Sequence, residues 1–209
     1  MLIVFEGLHS AGKSTQIAAL VQWLRERGAL VTLTSWNSSP PLGATITGLK
    51  MASALSPIAM VLMEAADLAY RYEHGLRDAL DGGDIVVADR WSYSTVVRAV
   101  PRGVARDFVR DCFAFAPRPD LVFYLRCTAR ETLSRRLAAG LPLQGHLIGT
   151  DLEPGIDPRE GYLRHQGQAS RLYDATLPPD TVVLSCHDHP DVLRGLVVAA
   201  VQAHLPAGV

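Results

Sequence analysis

Residues Gly7 to Ser14 read "GLHSAGKS", the spacing G-x-x-x-x-G-K-S, and no other stretch constrains the fold as tightly. Leu2 to Phe5, four apolar or aromatic residues, lead into Glu6 as a buried strand does. From Lys13, "KSTQIAALVQWLRERG" has the pattern of an amphipathic helix stopped by Gly28. A chance glycine-rich turn would match the spacing but not this context of strand before and helix after. Gly7 and Gly12 let the backbone turn its N–H groups inward around an anion, and the helix N-terminus adds the positive end of its dipole. Lys13 is expected to reach the β- and γ-phosphates of a nucleotide, and the Ser14 hydroxyl to ligate Mg²⁺.

Further strand-like runs alternate with helical patterns: Ala29 to Ser35, Asp84 to Arg90, Asp120 to Arg126 and Thr181 to Ser185. With the first strand they predict an α/β fold, a five-stranded parallel sheet flanked by helices. Ser56 and Pro57 form an N-cap and first-turn pair opening one long helix that runs to Gly82 and Gly83. At 209 residues the chain suits a single domain, residues 1–209. The stretch from Gly140 to Pro158 is punctuated by glycine and proline, and a loop that long is usually functional or disordered. Its functional form in a phosphate-transfer enzyme is a water-excluding lid, residues 140–158.

The third strand ends in "VVADRW", which places Asp89 and Arg90 at the carboxyl edge of the sheet, where ligands of open α/β sheets collect. Asp89 can hold Mg²⁺ through its waters, and Arg90 can clamp a phosphoryl group. Other chemistry is not indicated. A net charge of −1 gives no footprint for a nucleic acid polymer or an anionic membrane. Leu196 to Val201 is too short to span one. The three cysteines lie far apart without metal spacing, and no leader-like stretch opens the chain, which reads as a reduced, cytoplasmic protein. "CHDHP", Cys186 to Pro190, is more simply a helix cap at Asp188 than a metal site.

Along most of its length the sequence resembles the thymidylate kinases, which move a phosphoryl group from ATP to dTMP. The resemblance is carried by "FEGLHSAGKSTQ", "LTSWNSSPPLG", "EAADLAYR", "ADRWSYST" and "PDLVFYLRCTARETLSRRL". It implies a P-loop nucleoside monophosphate kinase fold, ATP and Mg²⁺ as donor and metal, and a homodimer. The implied ATP-binding set is Gly7, Ser10, Ala11, Gly12, Lys13, Ser14, Thr15 and Arg135, with His187 in the adenine-packing loop after the last strand. Catalytic roles fall to Lys13, Asp89, Arg90 and Arg135, metal ligation to Ser14 and Asp89, and acceptor binding to His9, Trp36, Glu64, Leu68, Arg90, Ser94 and Arg98.

Departures from the family pattern concentrate on the acceptor side. His9 stands where the family has a loop aspartate near the acceptor sugar, so its imidazole is expected to face the acceptor. Glu64 replaces the phenylalanine that stacks on thymine, and Leu68 the arginine that hydrogen-bonds the base; at i and i+4 the two share a helix face. Trp36 to Ser39 replace a Glu-Pro-Gly-Gly segment, Thr47 a phosphate-binding arginine, and Arg98 and Ala99 a Tyr-Gln pair. Between Arg136 and Arg159 no lysine or arginine occurs, so Arg135, Arg136, Arg159 and Arg164 are the arginines available to neutralise the transferred phosphoryl group. The leading expectation is an ATP- and Mg²⁺-dependent kinase for a small phosphorylated acceptor, nucleotide or nucleotide-like, other than dTMP. The alternatives are a divergent dTMP kinase, a nucleoside or alcohol kinase with Glu64, Asp67 or His9 as base, and a non-catalytic nucleotide-binding protein.

Overall fold

Residues 1–205 are described by the structure, a computed structural model. Strands β1 (Leu2–Gly7), β2 (Val31–Ser35), β3 (Ile85–Asp89), β4 (Leu121–Arg126) and β5 (Val182–Ser185) form one parallel sheet in the order β2-β3-β1-β4-β5. Ten helices among the described residues complete it: α1 (Lys13–Arg25), α2 (Gly43–Met51), α3 (Pro57–Arg71), α4 (Arg77–Asp81), α5 (Ser92–Ala99), α6 (Arg106–Cys112), α7 (Ala129–Ala138), α8 (Gly145–Ile148), α9 (Pro158–Thr176) and α10 (Pro190–Gln202). The fold class expected from the sequence is the one observed.

The period-two alternation of the central strands divides the interior into two cores. Ile3, Phe5, Val87, Phe123 and Leu125 face the layer containing Leu20, Leu24 and Val197 of α1 and α10. Leu2, Val4, Val86, Ala88 and Val122 face Val61, Leu68, Val96 and Val109 of α3, α5 and α6. Because β1 is buried on both faces it reads as an unbroken apolar run, as a central parallel strand must. Its neighbours β3 and β4 leave the strand order on opposite sides, so a crevice opens at the carboxyl end of β1.

Two local expectations change. The long helix is interrupted: Tyr72–Leu76 form one π-helical turn, inside which His74 and Gly75 leave helical backbone angles, before α4 resumes. The His74 ring stacks on Tyr70 at 4.0 Å while its Nδ1 meets the Tyr70 carbonyl. The Gly140 to Pro158 stretch is not wholly irregular, because α8 forms within it. Leu147 and Ile148 are buried against Leu133 and Tyr162, Gln166 donates to the Leu147 carbonyl at 2.9 Å, and Arg102 donates to Asp151 at 2.6 Å. Ser56 caps α3 as expected, its side chain accepting from the Ala59 N–H with Pro57 following. No helix among the described residues is long and apolar enough to cross a membrane.

Gly7 is irreplaceable on two counts: its φ is +142°, and a Cβ there would lie 2.7 Å from the Leu125 carbonyl oxygen of β4. At Gly28, with φ +78°, an added Cβ would meet nothing within 4 Å. Gly7→Ala should therefore cost about 2–5 kcal/mol, strain and overpacking together, whereas Gly28→Ala should cost about 1 kcal/mol of strain alone. Chemical denaturation of the two variants measures the difference.

Candidate active site

The phosphate loop links β1 to α1. Gly12 takes φ +105° as the N-cap of α1, and no side chain caps the helix, so the first N–H groups of the turn point outward unpaired by a cap. Ser10 also has positive φ, Ala11 is buried, and Ser14 and Thr15 are exposed on the first turn. Lys13 is buried, and its ammonium donates to the Leu8 carbonyl at 3.0 Å and to Gly7 at 3.4 Å. Burial, then the charge of Arg90, brings its pKa down to about 7. Ser14 and Asp89 line one side cleft, and the buried Asp89 Oδ1 has no hydrogen-bond partner. A hydroxyl and a carboxylate oxygen in want of a partner fit a hard cation such as Mg²⁺.

Arg90 follows Asp89 with φ +78°, a left-handed conformation unusual for a non-glycine residue. A residue that the sequence motifs do not single out holds it there. Glu6 is 0% exposed, accepts the Trp91 N–H and the Ser94 hydroxyl at 2.8 Å each, and lies 3.8 Å from the Arg90 guanidinium. Tyr173 of α9 accepts from Arg90 at 2.7 Å and meets Ser94 at 3.0 Å. Ser94 therefore positions Arg90 rather than lining the cleft. Burial raises the Glu6 pKa against the opposing pull of Arg90, and it raises that of Tyr173 to about 12.

The main cleft lies beyond Gly7, and His9, Lys50, Glu64, Arg90, Arg98 and Arg102 are among the residues lining it. His9 meets Arg98 at 3.4 Å and approaches His146 edge to face at 6.2 Å. Burial and then the charges of Arg90 and Arg98 hold His9 well below the ordinary histidine range, and burial and Lys50 bring His146 to about 3. Both imidazoles are neutral at neutral pH. Glu64 is buried and committed: Thr95 donates to one oxygen at 2.6 Å, while Asn37 at 3.4 Å and Arg98 at 3.8 Å meet the other. It borders the cleft chiefly as the anchor of Arg98.

Two expected acceptor residues lie elsewhere. Leu68 is fully buried in the core with Leu2, Val4 and Val86, one turn of α3 too far along to reach the cleft. Trp36 packs on Phe113 and under Arg71 and does not line the cleft. Conversely, Lys50 joins the site without having been expected there. Thr47 on α2 is exposed, but Lys50, one turn later, faces the cleft, and among the described residues it has no carboxylate within salt-bridge distance. Burial, then the charge of Arg98, lowers its pKa to about 7. Its position three residues after Thr47 is the one clue that the sequence offers.

On the other side of the loop, Arg135 donates to the Ala11 carbonyl at 3.0 Å and to the Cys186 carbonyl at 2.6 Å. His187, 73% exposed, pairs with Glu131 at 2.9 Å. The cap of α10 is His189, whose ring accepts the Asp191 N–H, and not Asp188. Of the remaining arginines, Arg136 is tied to the Pro142 carbonyl and Arg164 to Glu153 and Glu160, while Arg159 is exposed. Asp67 accepts from the Ser39 N–H and from Arg71, both at 2.8 Å, which removes it as a candidate base.

Comparison with known proteins gives this geometry a context. The family model described as thymidylate kinase matches residues 5–144. "Probable thymidylate kinase 2" of Saccharolobus solfataricus is 34% identical over 174 residues, covering 83% of this chain and 81% of that protein. "Probable thymidylate kinase" of Thermococcus gammatolerans is 30% identical over 100% of this chain and 99% of its own. "Thymidylate kinase" of Chlorobium chlorochromatii is 32% identical over 98% and 96%.

Lys13 near pKa 7 implies a proton linkage. At pH 8 the ligand-free lysine is mostly neutral, and a polyphosphate beside it restores its ordinary affinity for a proton. ATP binding should therefore take up a fraction of a proton at pH 8, and this contribution should fade toward pH 6, where Lys13 is already charged. Calorimetric titrations in buffers of different ionisation enthalpy measure it, with Lys13→Ala as the control.

Proposed function

The chain belongs to the thymidylate kinase family, and from that premise we propose that it transfers the γ-phosphoryl group of ATP to the phosphate of a nucleotide-like acceptor other than dTMP. Membership makes it an ATP-dependent kinase of the nucleoside monophosphate type; the acceptor is the new element. The observation that carries the choice of a phosphorylated acceptor is Lys50, facing the cleft beside Arg98 and Arg90 with no carboxylate of its own among the described residues. An acceptor phosphate is already ionised and needs positioning more than a base. An alcohol acceptor is disfavoured because Glu64 and Asp67 are held by hydrogen bonds, while burial and then the neighbouring cations make His9 a weak base.

The case against dTMP rests on the cleft wall. Leu49, Leu55, Met60 and Val61 give it aliphatic surface, with Glu64 where the family has a stacking ring. Leu68 no longer contributes to that case, since it is core. The second reading, dTMP itself, is favoured by the names of relatives that align over nearly the whole chain.

In the proposed reaction Lys13 leaves the loop carbonyls for the β- and γ-phosphates, and Arg90, fixed by Glu6, Ser94 and Tyr173, holds the acceptor phosphate near the transferred group. Arg135, which donates to the Ala11 carbonyl, supports the loop from the ATP side and is assigned charge neutralisation. Ser14 and Asp89 would hold Mg²⁺, which supplies electrostatic neutralisation of the phosphates when bound. Residues 140–158 act as the lid of a single domain, since His146, Leu147 and Asp151 already border the cleft. The same proposal includes a cytoplasmic homodimer; Ile58 and Leu62, both at least half exposed at i and i+4 of α3, offer an apolar face for it.

Lys13→Ala and Asp89→Ala should each lower kcat by about 10³-fold or more with the fold retained. Lys50→Ala should chiefly raise KM for the acceptor. A coupled assay across nucleoside monophosphates and small phosphorylated metabolites should find an acceptor with kcat/KM at least about 100-fold above that for dTMP. Efficient, saturable turnover of dTMP would establish the second reading instead. Light scattering checks the dimer, whose weakening by Leu62→Glu is expected.

A further inference from the structure

Cys127 and Cys186 are remote along the chain and adjacent across the sheet. Arg126 of β4 is in register with Ser185 of β5, and the Cys186 N–H donates to the Arg126 carbonyl, so the two cysteines follow as neighbours at the carboxyl ends of adjacent strands. Their Sγ atoms and a carboxylate oxygen of Glu131 all lie within 4.8 Å of one another. Cys186 donates to Glu131 Oε2 at 3.4 Å, and the other oxygen, Oε1, is 2.9 Å from His187 Nε2. Two sulfurs and one carboxylate thus converge on a single spot, with an imidazole one hydrogen bond away.

We propose that Cys127, Cys186, Glu131 and His187 form a binding site for one soft divalent metal ion of the Zn²⁺ class. Thiolate and imidazole donors select such an ion over Mg²⁺, and four ligands complete a tetrahedral shell once the exposed His187 side chain turns inward. Binding releases the two thiol protons to solvent. Glu131 can serve without leaving its helix cap, because Oε2 holds the Thr128 N–H and hydroxyl while Oε1 is the oxygen turned toward His187. The charge also closes: a divalent ion with two thiolates and one carboxylate carries −1, and the Arg135 guanidinium stands 3.9 Å from Cys127 Sγ. The sulfurs are buried and His187 is exposed, so the ion enters from the His187 side. A disulfide between the same cysteines would leave Glu131 with its capping role alone and the exposed His187 outside the cluster, which is why the metal is the better account of the four groups together.

The ion would tie the loop carrying His187 to the start of α7, and through Arg135 to the Ala11 carbonyl of the phosphate loop. The site itself does not depend on the proposed acceptor or on kinase activity.

The test uses the full chain, reduced and freed of metal by a chelator, titrated anaerobically with Co²⁺ and then Zn²⁺. One Co²⁺ per chain should bind with thiolate-to-cobalt charge-transfer absorption, and Zn²⁺ should displace it. Cys127→Ser and Cys186→Ser should each weaken binding by at least about 10–100-fold, the loss typical of even an outer-shell partner, and Cys112→Ser should not change it. His187→Ala and Glu131→Gln decide the matter if the buried cysteine variants do not fold, since His187 is exposed and glutamine preserves the helix cap. No charge-transfer band, unchanged affinity in both of those variants, or a metal-free Cys127–Cys186 disulfide in the purified protein overturns the proposal.

Discussion

The Glu6 carboxylate, wholly buried at the end of the central strand, is the point on which the site is assembled. A lone carboxylate in such a place would be untenable, and burial does push its pKa up. Trp91 N–H, the Ser94 hydroxyl and the guanidinium of Arg90 make it tolerable. The same contacts join two loops that the chain order separates, the phosphate loop after β1 and the Asp-Arg turn after β3. Breaking one partner of such a buried pair costs about 3–5 kcal/mol, because the other charge is left uncompensated. The left-handed backbone of Arg90 is thus held by tertiary contacts rather than by its own preference.

From that fixed point the two sides of the loop acquire opposite characters. Toward the cleft, Lys50, Arg90, Arg98 and Arg102 outnumber Glu64 and Asp151, and burial together with this excess drives the Lys50 and His146 pKa values down. Without an anion these groups repel one another; with one they are reconciled. Local stability is given up to make a seat for negative charge, a pattern common at functional sites. Toward Arg135 the surroundings are backbone carbonyls and thiols, and the guanidinium serves as a brace between Ala11 and Cys186.

Much of this is legible in the sequence. The strands, the phosphate loop, the Ser56 cap and the Asp89–Arg90 pair follow from periodicity, glycine placement and local capping chemistry, all of which are written within a few residues. Glu6 is visible as a charge after an apolar run, but Ser94 lies 88 positions beyond it and Tyr173 a further 79 beyond Ser94, in no pattern that a local reading can find. The π turn at Tyr72–Leu76 escapes notice because an isolated Gly75 is compatible with a continuous helix. The pairing of Cys127 with Cys186 depends on which strands are neighbours, and so becomes visible only with the sheet order.

The acceptor residues show a subtler limit, because their misplacements have the same size. Alignment with a family arginine puts Leu68 in the cleft, yet α3 carries it one turn past Glu64 and into the core. Thr47 aligns with a phosphate-binding arginine, yet the cation stands one turn further along α2, at Lys50. One turn advances a side chain about 5.4 Å along the helix axis. Position-by-position transfer therefore names the helix that borders the cleft more reliably than the side chain that faces it. A cation can migrate by a turn along a facing helix and still meet the same phosphate, since Lys carries its charge on a long flexible stem. A planar base contact has no such latitude, because it depends on the position and orientation of one side chain.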